Sequence, residues 1–152
     1  MKSTRMRRHI RAPRSAVYRA LIDPDMLIKW KIPAAMIGEV HAFDAREGGA
    51  FRISLTYVLP DRAGKTSAHT DTYHGHFARL VPDALVVEVI EFETSDPDLM
   101  GNMTITTSLT DAGAGTDLVA VHDGLPAGVS AADNELGWWM ALEKLAALLE
   151  PQ

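Results

Sequence analysis

There is no cysteine among the 152 residues, which rules out a disulfide framework or a thiolate metal site and makes a reducing compartment the natural setting. No stretch approaches the ~20 consecutive apolar residues that a bilayer-spanning helix needs. The opening residues MKSTRMRRHIRAP carry charge but no apolar segment of the signal-peptide kind. A cytoplasmic protein without membrane contact is therefore expected. Positive charge is also in deficit: 15 Lys+Arg stand against 20 Asp+Glu, for a net charge of −5, which argues against a nucleic-acid partner. Lys2, Arg5, Arg7, Arg8, Arg11 and Arg14 crowd the first fourteen positions and read as solvated flanks of an edge strand.

Catalytic and binding motifs are missing too. No G-x-S-x-G elbow is present, and without cysteine the nucleophiles reduce to hydroxyls and amines that nothing in the sequence activates, so no catalytic residue is assigned. Gly64-Lys65-Thr66 resembles the end of a phosphate-binding loop, but Leu59 stands where that motif needs glycine. The sequon Asn102-Met103-Thr104 has no meaning without secretion. Length alone fits one domain, able to bury roughly 70% of its unfolded surface without help. No repeat, low-complexity segment or interdomain linker divides residues 1–152.

What is present is one long helical pattern. Residues 130–150 start with Ser130 and Asp133 as a capping pair, carry acids suited to a helix N-terminus, and are followed by Pro151. At 100° per residue, Trp138, Ala141, Leu142, Leu145, Leu148 and Leu149 share a side, opposite Asp133, Glu143 and Lys144. That stripe needs a partner surface. Upstream, residues 4–11 suggest a first strand; Pro13 opens a short helix through Val17, Leu21 and Ile22, and a second runs over 25–30 before Pro33. Strands are then expected at 40–45, 51–57, 70–80, 85–93, 103–109 and 116–122, joined by hairpin turns at 47–49, 60–65, 81–83 and 111–115. The cleanest alternation is Phe51, Ile53, Leu55 and Tyr57 against Arg52, Ser54 and Thr56. The result is an α+β fold: about six to seven antiparallel strands wrapped round the terminal helix, with two short helices after the first strand.

This order resembles the helix-grip superfamily, which includes START lipid-transfer domains, the birch-pollen-allergen fold and polyketide cyclases. The local signatures are similar to the domain family named after the activator of the heat-shock-protein-90 ATPase. They are Ile10-Arg11-Ala12-Pro13 with Val17 and Leu21, Asp23-Pro24 through Trp30, Asp44 through Phe51, Tyr73-His74-Gly75, Gly115-Thr116 leading to His122, and Gly137-Trp138. The resemblance implies a cavity between sheet and helix that holds a small hydrophobic or aromatic ligand. The residues expected around it are Trp30, Phe51, Ile53, Tyr57, Tyr73, Phe92, His122, Trp138 and Leu142. It also leaves open a cyclase- or hydrolase-type enzyme in the same cavity, or a chaperone-activating module, and it suggests a homodimer through Trp139 or Met140.

Three polar groupings bear on chemistry. His74-x-His76 puts two imidazoles on one strand face, with His41, His69 and Asp71 the only nearby partners, and reads as solvent-facing histidines; neither metal nor cofactor is expected. His122 continues the face of Leu118 and Ala120, so a buried imidazole there needs a hydrogen-bond partner and could orient a ligand. Alternation sets Glu88 opposite Glu91 and Glu93, so one of these faces turns inward. A carboxylate on it would act as acid or base, or pair with an arginine such as Arg52 or Arg79.

Overall fold

Residues 2–33, 35–58 and 70–151 are described in a computed structural model. The turn expected at 60–65, the Gly64-Lys65-Thr66 tripeptide and His69 lie outside them. In chain order the elements are β1 (Ser3–Ile10), α1 (Arg14–Ile22), α2 (Pro24–Trp30), β2 (Met36–Phe43), β3 (Ala50–Tyr57), β4 (Thr70–Val81), β5 (Leu85–Phe92), β6 (Met103–Ala112), β7 (Gly115–Asp123) and α3 (Ala131–Leu149). Strand alternation makes one sheet of them, in the order β1-β7-β6-β5-β4-β3-β2 with all pairs antiparallel. From β2 onward each strand pairs with the next. The two short helices carry the chain from one edge, β1, to the other, β2.

The sheet curves round its helix-covered face. Bulges between Val40 and Ala42 and between Phe77 and Arg79 each add a residue to one strand, which bends it and sharpens the local twist. Gly75 permits a close approach at the bend, since a Cβ there would come within 2.9 Å of the Phe51 ring and 2.1 Å of the Val89 carbonyl oxygen. β2 starts at Met36, four residues earlier than expected at Val40. Met36-Ile37-Gly38 carries no clean alternation, and what makes it a strand is its pairing with Tyr57, Thr56 and Leu55.

Caps and cross-links place the helices. The Asp23 carboxylate accepts the N–H of Asp25 at 2.9 Å with Pro24 in the first turn of α2, and the Ser130 hydroxyl accepts the N–H of Asp133 at 3.3 Å at the start of α3. Trp30, 1% exposed, donates its indole N–H to the carbonyl of Ala20 at 3.0 Å and locks α2 on α1. Thr116 donates its hydroxyl to the carbonyl of Ala12 at 2.8 Å and fixes the β1–α1 joint. α3 lies close to β1 and α2 and stands off the middle strands. Its C-terminal part is held at that edge by Arg8 to Glu143 at 3.0 Å and by the Arg11 N–H to Glu150 at 3.0 Å. Lys144 donates to the carbonyl of Ile32. Among the described residues no helix is long and apolar enough to cross a membrane.

Two kinds of interior result. Beneath α1 the core is solid, with Ile10, Val17, Phe77, Val86, Leu109 and Leu118 all at most 3% exposed. Beneath α3, Leu142 and Leu145 are fully buried and Ala141 and Ala146 complete the contact. Leu148 departs from the expected stripe: it lies roughly 120° round the helix from Leu142 and is 39% exposed. Ala146 takes the inner position instead. Leu136, Trp139 and Met140 form the exposed apolar side of α3.

Leu142→Ala removes a fully buried side chain at the centre of the helix–sheet contact, and a loss of about 3 kcal/mol in unfolding free energy is expected from urea titration. Leu136→Ala, at an exposed position of the same helix, should change it by less than about 0.5 kcal/mol.

Candidate ligand-binding cavity

Where α3 lifts off the sheet, a cavity of about 280 Å³ remains. Its floor is the end of the sheet that carries Leu55, Asp71, Tyr73, Ile90, Phe92, Met103 and Ile105. Its roof is the first half of α3, with Asn134, Gly137, Trp138 and Ala141, and Lys31 and Pro33 close one side just beyond α2. The wall is mostly apolar with a few polar groups converging on it, as in small-molecule sites generally.

Lys31 is the polar centre. It caps α2, its N–H donating to the carbonyl of Leu27, and its side chain then turns under α3. The ammonium sits 3.7 Å from Glu88 Oε1, 5.3 Å from the Trp138 ring centre and 5.8 Å from that of Tyr73. Burial pushes a lysine down, but the charge of Glu88 and the Tyr73 hydroxyl outweigh that effect and hold Lys31 above its usual range. Burial also raises Tyr73, a shift that Glu88 reinforces and Lys31 opposes. The site thus presents a fixed ammonium and a neutral phenol. Neither an amine nucleophile nor a phenolate base is available at neutral pH.

His122 lies one layer behind the wall. It is fully buried, opposite Thr4 on β1 and Ile105 on β6. The Asn134 amide donates to Thr4 Oγ1 and to His122 Nδ1, both at 2.9 Å. Nδ1 therefore accepts and Nε2 carries the proton. Nε2 has no hydrogen-bond partner among the described residues, and the imidazole meets Trp138 edge to face with ring centres 4.5 Å apart. Burial, reinforced by the positive charge of Lys31, lowers the imidazole from 6.5 to about 4.

Of the side chains the sequence singled out, Tyr73, Phe92 and Trp138 line the cavity. Trp30 sits behind Trp138 in an edge contact at 6.3 Å, and Phe51 belongs to an aromatic cluster with Phe43 and Phe77. Ile53 and Leu142 are buried in the packed core, Tyr57 is half-buried on β3, and none of the three is on the wall. The inward glutamate is Glu88, 9% exposed, and its partner is Lys31 rather than an arginine. Sequence reasoning passed over Lys31, although a cation placed directly after the buried Trp30 at the close of a helix is a signal. Asn134 was hidden in the polar first turns of α3.

On the outer face, Arg52 holds Glu93 with two hydrogen bonds of 2.8 and 2.9 Å. His74 bonds Glu93 at 3.1 Å and approaches Glu91 at 3.6 Å. Arg52, helped by His74, holds the Glu93 carboxyl down at about 2 against the opposing effect of its partial burial. His76 is exposed, and His41 bonds Ser54 at 2.7 Å. Among the described residues no three His, Cys, Asp or Glu side chains converge as a metal site would require.

The His122 environment has a pH signature. Below about 6.5 the unfolded chain protonates this imidazole while the folded protein, held near 4, does not, so stability falls with acidification across that window and is unaffected above it. By urea titration, native protein should lose roughly 3 kcal/mol more than His122→Gln between pH 7 and pH 4. Parallel pH profiles would refute the assignment.

Residues 11–150 match the model of a family described as Activator of Hsp90 ATPase homolog 1-like protein. No curated protein matches the chain. Among solved structures, protein CV1439 from Chromobacterium violaceum is 33% identical, with 99% of this chain and 98% of that one covered and a TM-score of 0.88. A protein from Rhodobacter sphaeroides is 21% identical, covering 97% and 91% at a TM-score of 0.78. CalU16 from Micromonospora echinospora is 22% identical, covering 98% and 76% at 0.66, and these last two speak for the fold alone. With a family match that spans nearly the whole chain and the curved antiparallel sheet gripping its C-terminal helix, the protein belongs to the activator of Hsp90 ATPase homolog 1-like family of the helix-grip superfamily.

Proposed function

We propose that the protein binds a small, flat, mostly apolar or aromatic molecule in the cavity beneath α3. The observation that carries this reading is an apolar cavity whose wall includes one permanently charged ammonium, Lys31, set between the rings of Trp138 and Tyr73. Its volume of about 280 Å³ is near the small end of ligand sites, which are roughly 300–1,000 Å³. Binding is favoured over turnover because each candidate for chemistry is already engaged: Lys31 and Glu88 hold one another, Tyr73 stays neutral, and His122 is walled off behind Asn134 and Trp138.

The polar end of such a ligand is an uncharged acceptor, a carbonyl or phenolic oxygen. Lys31 is already paired with Glu88, so a carboxylate placed beside it would compete with Glu88 for that ammonium. A neutral oxygen can accept from the ammonium or from the Tyr73 hydroxyl without that penalty. Trp138 and Phe92 offer ring faces and edges for the body of the molecule.

A naphthyl ketone, 2-acetylnaphthalene, and its hydrocarbon analogue 2-isopropylnaphthalene separate the polar contact from the apolar one by calorimetric titration. Lys31→Met alone would leave Glu88 buried without its partner, so the variant to use pairs it with Glu88→Gln. A hydrogen bond to a charged group is worth about 1.5–3 kcal/mol. The ketone should therefore lose at least about tenfold in affinity in the double variant while the hydrocarbon is unaffected. Equal losses for both would remove the role given to Lys31, and no binding of either to native protein would remove the ligand-binding reading.

A further inference from the structure

Gly137 stands in the second turn of α3, inside a helix, where glycine is the least favourable residue after proline. The usual reason for keeping one is close packing. It does not apply here: among the described residues a Cβ built at Gly137 meets nothing within 4 Å beyond the helix's own backbone, whereas one at Gly75 or Gly115 would collide with backbone oxygens at 2.1 and 2.4 Å. The φ angle of Gly137 is not positive either, so no backbone conformation requires it. The space above it is open, and it belongs to two hollows at once.

The inner hollow is the cavity described above. The outer one, of about 420 Å³, lies between α3 and the segment that follows α2, where Ile32, Met140, Glu143 and Lys144 form its sides. Lys31, Pro33, Gly137 and Ala141 line both. The two hollows therefore adjoin at Gly137 and Ala141 on α3 and at Lys31 and Pro33 on the segment after α2. The Lys144 side chain, bonded to the Ile32 carbonyl, bridges α3 and that segment at the outer hollow.

We propose that Gly137 is the sill of the entrance to the cavity: its missing side chain leaves the passage through which the ligand reaches Lys31, and over which the outer part of a longer ligand rests against Ile32, Pro33 and Met140. The proposal builds on the ligand-binding reading and adds the route and the residue that limits it. The helix gives up intrinsic stability at this position to keep the passage clear, so stability and binding should respond to substitution in opposite directions.

Stopped-flow fluorescence with N-phenyl-1-naphthylamine, an uncharged probe longer than a naphthyl ketone, tests this alongside thermal melting. Gly137→Ala should melt a few degrees higher than native protein and take up the probe several-fold more slowly. Gly137→Leu should stay folded and bind the probe at least tenfold more weakly or more slowly. Glu135→Leu, an equally bulky change at an exposed position of α3 away from both hollows, should leave binding unchanged. Probe binding to Gly137→Leu that matches native protein in rate and affinity overturns the proposal. So does a lower melting temperature for Gly137→Ala, since it would mean that packing requires the glycine. If native protein binds neither this probe nor 2-acetylnaphthalene, the ligand-binding reading fails and the entrance fails with it.

Discussion

A single helix cannot cover a seven-stranded sheet. With strands about 4.8 Å apart the sheet is roughly 30 Å across, and a helix with its side chains is about 10–12 Å wide. Much of the rest of the structure answers this mismatch. The sheet curls at its two bulges, α1 and α2 fill one end of the concave face, and α3 is drawn to the β1 edge by Arg8, Arg11 and their glutamate partners. The gap that α3 leaves over the middle strands is the cavity. It is a consequence of how the layers fit, and it needs no special element to create it.

The polar groups around that gap make it a specific site. An ammonium taken out of water is costly unless it is paired, and Lys31 meets this demand with Glu88 and with the rings of Tyr73 and Trp138. The charge then reaches outward as well, helping to keep His122 neutral, and a neutral imidazole is what allows Nδ1 to accept from Asn134. Trp138 links the parts: its ring touches Lys31, His122 and Trp30, and so joins the cavity wall, the buried pair and the α2 anchor in one contact network.

Much of the architecture was legible from residue patterns. Strict alternation identified β3, the capping pair Ser130 and Asp133 began α3, and helical spacing placed a second short helix up to Trp30 before Pro33, because each is a local rule that the fold obeys locally. β2 was read short because Met36-Ile37-Gly38 becomes a strand only through its partner, and Leu148 was read inward because a helical wheel does not know where the covered surface ends. The site was less legible. Tyr73, Phe92 and Trp138 could be named because aromatic residues on an inward face are candidates wherever they fall, but the same rule also named Phe51 and Trp30, which pack into solid core.

By itself the sequence determined the elements and their order, since periodicity, caps and turns are properties of neighbouring residues, and its succession of local signatures pointed to the family. Only the tertiary structure decided that Glu88 meets Lys31 across a separation of 57 residues in number, that Asn134 turns His122 into an acceptor, and that Gly137 lines both hollows. The physical reason is the same in each case. Which charge is paired, which polar atom is satisfied and where volume is left unfilled depend on distances between segments far apart in the chain, and those distances exist only once the sheet has curled and α3 has come to rest over it.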